Sequence, residues 1–272
     1  GDSTWVAKRT WYEYNPHEQG GAQYGNLTRT LESQRDSQAT AWRDYSLTRT
    51  LYYPNVQASG VYLTGLAAIV KAYTCPADKF DGACSSDYPS YPPESLLAGV
   101  TWNLYDNHHP PEDGYSFNTP PSAGILTGVR QLLSCENNAC STSSNQRFSD
   151  QVFTYDDWGN RTTTTTYSET GIFTALAGLG ARTSAVCYGG GGIVDGVMCS
   201  DDGYHNYPLW EQNAEDHSTA ITYDYALGVP VSMTDPNNIT TTAGYDSFGR
   251  MTSIVRIYDD VSNPTVSVSY HE

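Results

Sequence analysis

The sequence predicts an all-β fold of antiparallel hairpins, on three observations: its polar composition, its Tyr-Asp…Gly repeats and its loop-borne cysteines. Its 272 residues are 38% hydrophobic and 16% charged, so much of the polar surface is carried by Thr, Ser, Asn, Gln and Tyr. Twenty-two tyrosines and many threonines favour strands, because aromatic and β-branched side chains fit a pleated, half-buried surface. Long helix formers are scarce, and lysine occurs only at Lys8, Lys71 and Lys79. The formal net charge of −16 repels phosphate backbones and anionic surfaces, which argues against nucleic-acid binding. No apolar run is long enough for a membrane span, the longest lying near Leu66–Val70.

The repeat is clearest in Tyr155-Asp156-Asp157-Trp158-Gly159 and Tyr245-Asp246-Ser247-Phe248-Gly249. Tyr223-Asp224-Tyr225-Ala226-Leu227-Gly228 is the same motif with one residue added, and Tyr24–Thr30 reads as a degenerate copy. Each part has a mechanical reading. Tyr closes an incoming strand, and the Asp carboxylate accepts turn amides. The aromatic at the fourth position covers the hairpin end, and Gly supplies a positive φ. The opposite turn is Thr234-Asp235-Pro236-Asn237-Asn238, where Pro presets φ and Asn tolerates the left-handed region. Residues 219–258 therefore read as a meander that alternates two kinds of turn.

The chain divides by regularity into residues 1–150, with degenerate repeats and long insertions, and 151–272, with clearer repeats, in one continuous β domain. Strands are expected at Ser46–Tyr53, Val61–Thr64, Ala68–Tyr73, Val100–Tyr105 and Val129–Ser134. Gly60–Gly65 and Gly124–Gly128 read as two copies of one Gly-x-Leu-Thr-Gly-like stretch. The six cysteines fall into neighbouring pairs, Cys75 with Cys84, Cys135 with Cys140, and Cys187 with Cys199, all in long loops. An even count and local spacing predict disulfides that staple these insertions in an oxidising compartment. No Cys-x2-Cys spacing supports a metal site, and neither a metal nor a cofactor is expected.

Other clusters read as structure before chemistry. Asp156 with Asp157, and Asp201 with Asp202, are adjacent carboxylates, which rarely converge on one glycosidic bond. His108 and His109 precede two prolines in a surface loop. Gly189–Gly192 lacks the Lys-Ser/Thr of a phosphate loop and reads as a flexible link. Asn26, Asn160 and Asn238 begin Asn-x-Thr patterns but stand where turns want Asn.

Over residues 219–258, and again at 151–167, the sequence resembles the YD-repeat (RHS) family. That family includes bacterial RHS proteins, toxin-complex cocoon subunits and the teneurin shell. The resemblance implies a strip of β-hairpins coiled into a partial or closed shell, with no catalytic residues carried over. The family's self-cleaving core uses Asp-Pro-x-Gly motifs, whereas Asp235-Pro236-Asn237-Asn238 lacks the glycine. The expected role is a structural segment of a secreted or cell-surface shell, adhesin or fibre. Its partners would be copies of itself, or adjoining repeats of a longer parent chain, paired through edge strands. The alternative is a carbohydrate-binding module at the cell surface, in which Trp11, Trp42, Trp102 and Trp210 form one exposed platform.

Overall fold

The computed structural model describes residues 5–14, 25–37, 42–53, 56–58, 61–75, 96–107, 121–135, 146–170 and 180–271. Among them no helix occurs, and fifteen strands follow one another in a single antiparallel hydrogen-bonded order. Apart from two small hairpins set into loops, that order is the chain order. The fold is therefore a meander, in which each strand of the sheet packs chiefly against the strands before and after it in the chain. The chain clusters into two compact units, Gly1–Val152 with Tyr167–Ala181, and Phe153–Thr166 with Arg182–Glu272.

The first unit is built on β1 (Val6–Glu13), β2 (Arg29–Asp36), β3 (Arg43–Tyr52), β6 (Ala67–Thr74), β7 (Leu97–Tyr105), β8 (Leu126–Cys135) and the first part of β9 (Gln146–Tyr155). The short hairpin of β4 (Val56–Ala58) and β5 (Val61–Leu63) interrupts β3 and β6. Alternation places Leu47 and Leu51, Ile69 and Tyr73, Val100, Trp102 and Leu104, and Leu132 and Phe148 in one buried cluster. The register sets one row of partners across this core: Leu51, Ile69, Trp102, Arg130 and Asp150. Trp102 meets Phe148 edge to face at 5.3 Å.

The row ends in a buried ion pair. Arg130 Nε and Nη2 donate to the two Asp150 carboxylate oxygens at 2.7 and 2.6 Å, with side chains 2% and 0% exposed. The guanidinium also lies 5.1 Å from the Phe148 ring. Two desolvated charges are tolerated because the bidentate geometry satisfies both carboxylate oxygens.

The second unit contains the last part of β9, most of β10 (Arg161–Thr170), and β11 (Arg182–Cys187), β14 (Trp210–Gln212), β15 (Ser218–Asp224), β16 (Val229–Thr234), β17 (Thr240–Tyr245), β18 (Met251–Val255) and β19 (Val266–Ser267). A hairpin of β12 (Ile193–Val194) and β13 (Val197–Met198) lies in the loop after β11. Its apolar core is small: Ala185, Val194 and the Cys187–Cys199 disulfide, with Leu209 and Trp210 against them. From β15 to β19 no strand residue is buried. There the cross-strand contacts are hydroxyl pairs, such as Thr222 with Ser232 at 2.6 Å and Thr234 with Thr240 at 2.9 Å.

The expected strands all form, some longer than expected, and a short last strand pairs at Val266–Ser267, with the Val268 amide donating to the Thr252 carbonyl. In the turn before it, Asp259, Asp260 and Thr265 hold the backbone in local hydrogen bonds. Asp150→Ala leaves Arg130 charged and buried, so it should lower the urea-unfolding free energy by about 3–5 kcal/mol. The double change Arg130→Met with Asp150→Leu should cost clearly less. A loss under about 1 kcal/mol for Asp150→Ala would show that the pair is not a structural constraint.

Candidate functional site

The residues singled out by the repeat converge on the hairpin turns. In the turn after β9, the Asp156 carboxylate Oδ1 accepts the amides of Trp158 and Asn160 at 3.0 and 2.8 Å. The Asp156 amide donates to the Asn160 carbonyl, and the Gly159 amide donates to the Asp156 carbonyl. Gly159 has φ +86°. Asp246 repeats every contact: its Oδ1 accepts Phe248 and Arg250 amides, both at 2.9 Å, around Gly249 at φ +75°.

The Asp-Pro-Asn-Asn turn has the same geometry. Asp235 Oδ1 accepts the Asn237 and Ile239 amides, and Asn238 takes the left-handed place at φ +59°. The two turns expected to differ in kind are one kind, used at both ends of the hairpins. A fourth copy, Asn213 to His217, carries no Tyr-Asp or Gly signal. Asn213 Oδ1 accepts the Glu215 and His217 amides, and Asp216 sits at φ +62°. What marks it in sequence is only Asn followed three residues later by Asp, both residues that tolerate these roles. Asp224 makes the variant with one residue added. Its Oδ1 accepts the Ala226 and Leu227 amides, and Gly228 donates to its carbonyl at φ +68°.

The aromatic at the fourth position does not cover the turn. Phe248 is 74% exposed and meets only the Arg250 guanidinium, while Trp158 turns away to stack on His205 at 3.6 Å. A Cβ at Gly159 or Gly249 would meet nothing, so the glycines are there for φ and not for space.

In the second unit, the loop between β11 and β14 is fastened onto two of these turns. Trp158 stacks on His205, Tyr225 stacks on Tyr204 at 4.1 Å, and Tyr223 stacks on Tyr207 at 4.8 Å. Asn160 Nδ2 donates to the Asp156 carboxylate and to the His205 carbonyl, both at 3.0 Å. The Tyr225 hydroxyl donates to Asp202 Oδ2, and this bond pushes the phenol pKa up to about 12. The Asp202 Oδ1 accepts the Tyr204 and His205 amides, at 2.9 and 3.1 Å. Burial works to raise the Asp202 pKa, but these donors outweigh it and hold the carboxyl below its ordinary 3.8.

In the glycine run that reads as a flexible link, Gly189 and Gly190 are closely packed, whereas Gly192 faces open space. A Cβ at Gly189 would collide with the Asp202 carboxylate, and one at Gly190 would stand 2.7 Å from the Trp158 ring. Asp201, Asp202 and His205 bring one possible ligand atom each within 4.8 Å. Asp201 Oδ1 accepts the Gly203 amide and both Asp202 oxygens are engaged as described, so these carboxylates fasten the loop. Asp157 is exposed, whereas Asp156 is engaged by the turn amides. The Asn160 amide is held by the turn, and Asn238 serves it through φ.

The cysteines divide. Cys187 and Cys199 are bonded to each other. Cys75 and Cys135 are each in a disulfide, while Cys84 and Cys140 lie outside the described residues. His108, His109 and Tyr24 also lie outside them. The four tryptophans form no common platform: Trp102 is buried and Trp210 packs on the small core, whereas Trp11 is 63% exposed and Trp42 lies under Arg9 and Arg35.

No protein-family profile matches the sequence, and no curated protein matches it. Among solved structures, the crystal structure of TcdB2-TccC3 is similar at 13% identity and a TM-score of 0.47. That similarity covers 86% of this chain and 13% of the other, so the chain spans a small part of the neighbour's length.

Gly249→Val should destabilise the intact protein by more than about 1 kcal/mol, because a β-branched residue is an outlier at positive φ. Gly249→Asn should cost less than half as much, since Asn238 fills the same place in the sister turn. Equal thermal stability of the Val and Asn variants would remove the left-handed turn from the account.

Proposed function

We propose that the chain is a structural segment: a β-hairpin strip of the YD-repeat kind in a secreted or cell-surface protein, acting as wall and scaffold and not as a catalyst. One observation carries the reading. The turn carboxylates of Asp156, Asp235 and Asp246 are committed to backbone amides, the use expected of a repeat element that sets hairpin geometry. The Cys187–Cys199 disulfide favours an oxidising compartment. Among the described residues, no helix is long and apolar enough to cross a membrane.

A meander ends in edge strands, and among the described residues these are β1 and β19. Edge strands present unpaired N–H and C=O groups that another strand can take up. On this reading the partners are adjoining repeats of a longer parent chain or copies of this one. A carbohydrate surface is the second reading, and it moves from the scattered tryptophans to Trp158 and Tyr204. These side chains are 53% and 55% exposed, each backed by a stacked ring.

Light scattering with electron microscopy of the intact chain tests the structural reading. Mass should rise with concentration, and Thr10→Pro, which places a proline within the β1 edge, should suppress the rise. A monodisperse monomer at every concentration, unchanged by Thr10→Pro, would contradict pairing through that edge.

A further inference from the structure

We propose that residues 107–123 are an insertion seated inside a concealed repeat turn, and that Tyr105-Asp106 and Gly124-Ile125 form a clasp that carries inserted polypeptide irrespective of its content. The inference rests on the hairpin-strip reading and extends it from wall to carrier. At Asp246 two residues separate the Asp from the left-handed Gly, whereas at Asp106 seventeen do. On the leaving side the backbone differs, Asp106 and Asn107 having φ +51° and +62°, but the closing features are those of the repeat turn. The Asp106 amide donates to the Ile125 carbonyl at 2.8 Å, as the Asp246 amide does to Arg250 at 2.9 Å. Gly124 and Gly249 have φ +74° and +75°. In both hairpins the register shifts at the residue before the tyrosine, which then pairs with the second residue after the glycine: Tyr105 with Leu126, Tyr245 with Met251.

The carboxylate does more here than in the short turns. Asp106 Oδ1 accepts the Ile125 amide at 2.9 Å, and Oδ2 accepts those of Ser122, Ala123 and Gly124 at 2.8, 2.8 and 3.0 Å. Four amides from the returning end of the insertion thus meet one side chain at its leaving end. On the leaving side, the Asn107 amide donates to Thr127 Oγ1. Both ends are held by groups that belong to the hairpin.

A second insertion in the same unit shows that length and content are free. Between β3 and β6 the Tyr53 amide donates to the Leu66 carbonyl at 2.9 Å, Gly65 has φ +77°, and Tyr52 pairs with Ala67 after the same register shift. Eleven residues, including the β4–β5 hairpin, fill that gap. Two stretches unrelated in length and sequence are closed by one backbone arrangement. It follows that Gly65 and Gly124 are equivalent, and that the paired stretches Gly60–Gly65 and Gly124–Gly128 of the sequence are out of step. Gly128 lies within β8.

The test replaces residues 108–120 by an equal length of Gly and Ser in the full chain and reads amide hydrogen exchange, with and without Asp106→Ala. The Ser122 to Ile125 amides report the clasp, and those of Trp102, Leu104 and Arg130 report the β7–β8 ladder. The clasp amides should keep their protection in the Gly/Ser chain and lose it at least tenfold on Asp106→Ala in either chain. Loss of clasp protection in the Gly/Ser chain with the ladder intact overturns the proposal and leaves the strip reading standing. Unchanged protection in Asp106→Ala overturns it equally. Loss of the ladder itself in the Gly/Ser chain would count against both.

Discussion

A hairpin turn at a sheet end leaves amides with no ladder partner, and an unpaired backbone donor is costly wherever water is restricted. In this chain the remedy is one side-chain oxygen per turn. An Asx Oδ1 takes the amides two and four residues ahead, and the third residue ahead turns left-handed to allow it. Where the acceptor is ionised, the bonds are charge-assisted and stronger than neutral ones. The same arrangement places the residues flanking the turn opposite each other, which fixes which side chains share a face. The register of every hairpin from β14 onward follows from such local contacts. A chain carrying a net charge of −16 can hold this many aspartates partly because the turn amides solvate them.

The importance of the turns differs between the two units. In the first, a continuous apolar cluster and the buried Arg130–Asp150 pair reject any register slip, because a slip of one residue would expose the whole core face. In the strands β15 to β19 of the second, nothing is buried, so burial cannot choose the register. Cross-strand hydroxyl pairs contribute roughly 0.2–1 kcal/mol each and are tolerant of sliding along a Thr-rich strand. The turns must decide. The loop carrying the Cys187–Cys199 disulfide shows how a turn serves twice: Trp158, Tyr223 and Tyr225 come from repeat motifs, yet their rings hold the loop and not the turn.

Much of this was legible in the residues. Strand composition, the positions of the turns over 219–258, though not their common kind, and the αL glycines at 159 and 249 follow from rules that act within five or six residues. Asn213–His217 escaped because the geometry needs only an Asx acceptor and a residue tolerant of positive φ, which a search for Tyr-Asp and Gly does not find. Tyr105-Asp106 escaped for a different reason: seventeen residues separate its aspartate from its glycine, outside any local window. The packing of Gly189 and Gly190 under Asp202 and Trp158 depends on rings brought from distant repeats, and spacing alone carries no trace of it.

The central claim is that one turn geometry, defined by an Asx acceptor and a left-handed residue, recurs regardless of the turn's sequence. It is tested most directly by determining φ in solution, by NMR, at Gly124, Gly159, Asp216, Asn238 and Gly249 in the intact protein. The account predicts values between about +50° and +90° at all five, the left-handed region. A negative φ at Asp216 or Asn238, with positive values kept at the glycines, would contradict it, because the turns would then follow their glycines and not a shared clasp.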